Sequence, residues 1–177
     1  MPIRDFQDHT PNIAATAYVD ATALVIGDVV VAEDASLWPM VVVRGDIHSI
    51  EIGARTNIQD SCVLHVTHDG QFSPGGNPLR IGADVTVGHR VILHGCTVED
   101  RCLIGMGSVV LDGARVCSGA MVGAGSLVTS GKELEGGFLW LGSPARRVRP
   151  LTKAEQQFLE YSVHHYVELK NQHMAQY

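Results

Sequence analysis

His65, His89 and His94 are imidazoles placed where packing has no use for them. Each follows an apolar residue by one or two places: Leu64, Val87 and Ile92. Those apolar residues belong to a beat of about six, so the histidines fall outward. An outward imidazole titrates near neutrality and is the commonest protein metal ligand, which points to proton transfer or metal binding. The elements that position the rings follow from the beat. Ile81, Val87, Ile92, Val98, Ile104, Val110, Val116, Val122 and Val128 lead successive segments. Val85, Val91, Cys96, Cys102, Ser108, Ala114, Ala120 and Ser126 hold a second, smaller inward place. Self-similarity at this period predicts a parallel β-helix, in which each short strand stacks on its equivalent one coil away. An earlier block, led by Ile13, Val19, Val25, Val31, Leu37 and Val43, keeps the same time. It slips between Asp46 and Ile50 and resumes at Ile52, Ile58 and Leu64. The step from Val87 to Ile92 is five residues, an irregularity between two of the histidines. Irregular steps of that kind re-aim side chains.

Composition narrows the function classes. At 177 residues the chain can bury a continuous core, and 45% hydrophobic against 18% charged suits aliphatic leads filling a narrow interior. A net charge of −6 argues against a nucleic-acid partner, which needs a basic face. No apolar run approaches the ~20 residues of a membrane span. The segment Met1 to Phe6 has no apolar stretch of a signal peptide, so a cytoplasmic protein is expected. Cys62, Cys96 and Cys102 occupy inward places and read as buried thiols, with Cys117 the exception that looks out.

Two departures from the beat organise the chain. Residues 67–80 are rich in Gly, Pro and polar residues and read as a loop pushed out from one corner. After Val128 the repeat fades through Gly131, Gly136 and Gly137 into the basic stretch Arg146-Arg147-Val148-Arg149-Pro150. Thr152 with Glu155 forms a capping box, and Phe158, Leu159, Val163, Tyr166 and Val167 make an apolar stripe, so a helix is expected from Thr152. The expected division is a β-helix over 1–145 and a linker with a packing helix over 146–177.

The hexapeptide run, the Gly142-Ser143-Pro144-Ala145 exit and the terminal helix resemble the hexapeptide-transferase superfamily. That resemblance implies an all-β fold, a left-handed parallel β-helix of hexapeptide repeats with a C-terminal α-helix, and a homotrimer. Within the superfamily, Arg44-Gly45-Asp46, Asn57-Ile58-Gln59-Asp60, Leu64-His65, Val87-Gly88-His89 and Leu93-His94-Gly95 resemble the γ-class carbonic anhydrases and their bacterial relatives.

The register and the resemblance then meet. If the loop replaces one corner between Leu64 and Ile81, His65 and His94 share a face one coil apart. At a strand spacing of ~4.8 Å both can reach one ion at ~2.0–2.1 Å. His89 belongs to the preceding face and suits an ion held with a neighbouring subunit. The resemblance implies Zn2+ on His65, His94 and His89 of the next protomer, although imidazoles also accept Fe2+ or Co2+. It implies CO2 as substrate and bicarbonate as product. It also implies that Gln59 orients the attacking oxygen, that Arg44 and Asp60 pair across the subunit boundary, and that Asp46 orders that boundary. By position, Asn57 is expected to help polarise substrate and Tyr161 to close over the pocket. His68 and Asp69, at the loop entrance, are expected to pass protons to solvent.

The departures from the family pattern bear on activity. The best-studied γ-class enzymes carry an acidic residue directly after Arg-Gly-Asp, where this chain has Ile47, and a glutamate in the acidic loop, where this chain has Asp69 and no glutamate. Slow hydration, or none, is the expectation from that loss. Two other readings stay open. One is acyl transfer or thioester hydrolysis on coenzyme A substrates, with Arg146, Arg147 and Arg149 as phosphate contacts. The other is a non-catalytic, metal-binding trimer.

Overall fold

The computed structural model describes residues 3–176; Met1 and Pro2, where the leader reading starts, and Tyr177 lie outside them. Short parallel strands stack into a β-helix with three faces. Two of the faces form one continuous sheet, because the long strand Val42–Ile52 runs across the corner between them. The chain closes with the antiparallel pair Phe138–Gly142 and Ala145–Pro150, then the helix Lys153–Met174. Thr152 caps that helix in the expected capping box with Glu155. No helix among the described residues is long and apolar enough to cross a membrane.

The interior follows from the alternation of each strand. Val25, Val43, Leu64, Leu93, Val110 and Val128 lie in register one above another, all fully buried. Such stacks of branched side chains let identical rotamers repeat from coil to coil at close-packed density. Truncating one leaves a void that the rigid stack cannot close. Leu64→Ala should therefore destabilise by about 2–5 kcal/mol and lower the melting temperature on the order of 10 °C. Thermal unfolding followed by circular dichroism measures it, and an unchanged midpoint would contradict this packing.

One expected lead is corrected. Ile92 is 41% exposed, and Leu93 takes the inward position instead. The step from Val87 is then a full six residues, and the short step runs from Leu93 to Val98, across His94 and Gly95. The physical reason lies in the pairing: Leu93 stacks between Leu64 and Val110, and Ile92 between Val63 and Val109. An alternating strand cannot bury both.

The thiols follow the register as expected. Burial pushes Cys62, Cys96 and Cys102 up to about 12, whereas Cys117 is partly exposed. A thiol reagent at pH 8 should label one cysteine per native chain quickly and the remaining three only on unfolding. Rapid labelling of more than one would refute the buried assignment.

The three faces have different fates on their outer sides. One carries Glu51, Arg80, Thr97, Arg115 and Glu133 in register, a charged ladder suited to water. The second carries Ser36, Asn57, Thr86 and Leu103 and is covered by the helix. There Ser162 hydrogen-bonds Thr86 at 2.9 Å, Tyr166 stands edge-on to Trp38, and buried Lys170 pairs with Asp34. The third carries Leu24, Val42, Val63, Ile92, Val109 and Leu127 in register, an aliphatic stripe facing out with no element over it among the described residues. His65 and His94 sit on that same face, each two places beyond a stripe residue.

Candidate metal centre

His65 and His94 end the adjacent strands Val63–His65 and Ile92–His94 and are direct cross-strand partners. Their rings meet edge-on, with His65 Nδ1 and His94 Nε2 3.1 Å apart. The outer nitrogen of each ring is held by a carboxylate. His65 Nε2 lies 3.1 Å from Asp46 Oδ1, and His94 Nδ1 lies 2.6 Å from Asp112 Oδ1. An ionised carboxylate only accepts, so the outer nitrogens carry the protons and the two facing nitrogens carry lone pairs. Lone pairs that close repel unless a proton or cation stands between them. Two ligands of one tetrahedral zinc at ~2.0–2.1 Å are about 3.3 Å apart, so the pair fits a shared metal ion.

The surroundings set the protonation states. Burial pulls the His65 imidazole below its ordinary value, against the opposing hydrogen bond to Asp46 and with the Arg44 charge adding to the effect, so it is neutral at pH 7 and able to ligate. Burial works against the charge on Asp46, but hydrogen bonds from Arg44 and His65 hold its carboxyl below the usual range. Arg44 Nη1 donates to Asp46 Oδ2 at 2.6 Å, so within one chain Arg44 pairs with Asp46 and not with Asp60.

Within the chain, Asp60 braces the third histidine. His89 follows the strand Thr86–Val87 at the corner between the helix-covered and aliphatic faces, and its Nδ1 lies 2.8 Å from Asp60 Oδ2. Each of the three imidazoles thus has one nitrogen fixed by a carboxylate and the other free to bind, the arrangement that orients histidine ligands. The structure does not join His89 to the other two within one chain. Among the described residues, no three His, Cys, Asp or Glu side chains of a single chain converge as a metal site. Two facing nitrogens and one separate nitrogen per chain are what a site completed by a second protomer requires.

Gln59 is buried and borders a cavity of about 330 Å³ with His89, Met106, Phe158 and Ser162. Its Nε2 donates to Asn57 Oδ1 at 3.1 Å, which leaves its own oxygen free to accept. Asn57 is fully buried, and its amide donates to Thr86 Oγ1 at 3.0 Å. From that buried position Asn57 holds Gln59. Tyr161 is 62% exposed, stacked on His165, and does not line the cavity beside His89. Its neighbours Phe158, Ser162 and Tyr166 on the helix do. At the loop, Asp69 accepts from the Gly75 N–H at 2.7 Å. His48 accepts from the Ser49 N–H through Nδ1, and its Nε2 meets the Gly75 carbonyl at 3.3 Å. Sequence reasoning missed Asp112, although an offset of one coil from His94 leads to it.

Comparison with known proteins adds four findings. A family model described as bacterial transferase hexapeptide (six repeats) matches residues 95–130. A carbonic anhydrase of Geobacillus kaustophilus is 46% identical over 166 residues, covering 94% of this chain and 87% of that protein. The mitochondrial gamma carbonic anhydrase 1 of Arabidopsis thaliana is 41% identical over 169 residues, 96% of this chain and 61% of that one. Among solved structures, a Bacillus cereus protein described as a candidate acetyltransferase superposes with a TM-score of 0.92 at 39% identity, covering 99% of this chain and 98% of that one.

Proposed function

The chain belongs to the γ-carbonic-anhydrase-like proteins of the hexapeptide-repeat superfamily, and on that footing we propose that it is a metal-dependent hydratase of CO2, assembled as a trimer. The observation that carries this reading is the facing pair, His65 Nδ1 and His94 Nε2 at 3.1 Å, each ring braced by a carboxylate. His89 of the partner subunit completes the ligand set. The uncovered aliphatic face supports the assembly: Val63 and Ile92 are 40% and 41% exposed beside the histidines, and Met40 and Met106 are more exposed still. Burying that stripe against a second copy removes it from water at about 25 cal/mol per Å².

A divalent ion on three imidazoles, zinc by preference with iron or cobalt acceptable, supplies the Lewis acidity that makes water nucleophilic at neutral pH. The chain's residues do the rest. Asp46, Asp60 and Asp112 hold the ligand rings in their binding tautomers. Gln59, clamped by Asn57, offers its oxygen to the O–H of the attacking water and turns a lone pair toward the carbon of CO2. The products are bicarbonate and a proton. The proton leaves toward solvent past His68 at the loop entrance, a slower path than the family's acidic relay, since Ile47 and a glutamate-free loop replace it. Arg44 and Asp46, paired at 2.6 Å, order the subunit boundary. Phe158, Ser162 and Tyr166 of the terminal helix wall the cavity.

Protein purified without chelator should contain about one divalent ion per chain. Stopped-flow CO2 hydration, with zinc and then with ferrous iron, should show catalysis that vanishes on metal removal. A metal-loaded trimer without hydration activity would leave the metal site and overturn the hydratase.

A second reading has its own observation. The cavity beside His89 is lined by Leu103, Ile104, Met106 and Phe158, more apolar space than CO2 fills, and a structural relative is described as a candidate acetyltransferase. Thioester cleavage of a short acyl-CoA, without CO2 hydration, would favour acyl chemistry.

A further inference from the structure

We propose that Asp112 is a positioning residue that fixes the tautomer of His94 and couples the extruded loop to the metal centre. This rests on His94 being a metal ligand. Its carboxylate has two engaged ends. Oδ1 lies 2.6 Å from His94 Nδ1, and Oδ2 accepts from Thr67 Oγ1 at 2.7 Å. Thr67 opens the loop, and its backbone bridges Asn77 at the loop's far side. Asn77 in turn donates to Ser73 Oγ at 2.8 Å, so the loop's base and tip are tied through one residue pair.

The backbone makes room for this arrangement. Gly95, directly after His94, has φ +52°, and a Cβ there would run into the Asp112 carboxylate and into Asn77. Glycine is required where strand end, loop and carboxylate approach this closely. The short step from Leu93 to Val98 brings that glycine to the corner.

The mechanism is one of hydrogen-bond bookkeeping on a single ring. With Asp112 accepting at Nδ1, the proton is held there and the lone pair is held at Nε2, toward His65. Without that acceptor, a free imidazole favours the proton on Nε2, which blocks the binding nitrogen. Thr67 holds the carboxylate in the orientation that reaches the ring. Order in the loop therefore feeds into metal affinity, and metal binding in turn stabilises the loop's anchor.

Two readouts test this on the full-length protein. In chelator-treated protein, side-chain ¹⁵N spectra should place the His94 proton on Nδ1 in the wild type and largely on Nε2 in Asp112→Ala. Zinc competition against a chromogenic chelator should give a loss of affinity of roughly 10–100-fold for Asp112→Ala. Thr67→Val, which leaves the ring untouched, should lose about three- to tenfold, and Thr67→Ser should restore it. Should Asp112→Ala fold poorly, the threonine pair carries the test. An unchanged tautomer, affinity within twofold of wild type, or Thr67→Ser behaving like Thr67→Val each overturns the inference. Wild-type protein that takes up no metal defeats the hydratase reading instead, and the tautomer still decides the role of Asp112.

Discussion

His89→Ala should strip the protein of metal while leaving it a folded oligomer. His89 stands at an exposed corner after Thr86–Val87, and no apolar core residue depends on it. Its removal frees Asp60, which faces water and stays solvated, so the cost in stability is about 0.5 kcal/mol or less. The cost in metal affinity is of another order. Structural zinc sites of four ligands are worth ~10–16 kcal/mol, which apportions roughly 3 kcal/mol to each ligand and more than a hundredfold in affinity. Metal content should fall from about one ion per chain to near zero, with the sedimentation coefficient unchanged. Retention of metal by the variant would mean that His65 and His94 hold the ion with some other partner. Loss of the oligomer would mean that His89 is structural.

Ile92→Asp should dissociate the assembly. Ile92 lies at the middle of the outward stripe, between Val63 and Val109, and is 41% exposed in the single chain. A carboxylate forced into an apolar contact loses its hydration at a cost of several kcal/mol with nothing to pair with it. Each 1.4 kcal/mol is tenfold, so association should weaken by about a thousandfold or more. The chain itself should fold normally, because the residue contributes nothing to the interior. Sedimentation velocity at micromolar concentration should give monomer, and metal analysis should show the ion gone, since the third ligand has left with the neighbour. The matching control is Arg80→Asp on the charged face, for which no change in assembly is expected. An intact trimer in Ile92→Asp would place the subunit contact on another face.

Much of this was legible in the sequence, for a physical reason. A solenoid's interior is so narrow that one residue type recurs at one spacing, and Val25, Val43, Leu64, Val110 and Val128 declare their direction without help. The capping box at Thr152 is equally local. The misplaced lead came where two apolar residues, Ile92 and Leu93, stand side by side and periodicity cannot choose between them. The choice is made by stacking, and it put an aliphatic side chain on the outer face, the very feature that signals a partner. Asp112 was invisible for a related reason: it is remote in the chain from His94 and adjacent only across a coil. The burial of Asn57 was hidden in the same way, because Thr86 from the next coil and the helix above it close over that side chain. Tyr161 depended on the rotation of the helix about its own axis, which an apolar stripe fixes only to within about a third of a turn.

Three imidazoles from two protomers are expected to meet at one ion, and the direct measurement is an anomalous difference map from crystals of the metal-loaded protein. The expected result is one peak per subunit boundary, about 2.0–2.1 Å from nitrogens of His65, His94 and His89 of the partner subunit. A peak elsewhere, or a neighbouring His89 too distant to share the ion, would contradict it.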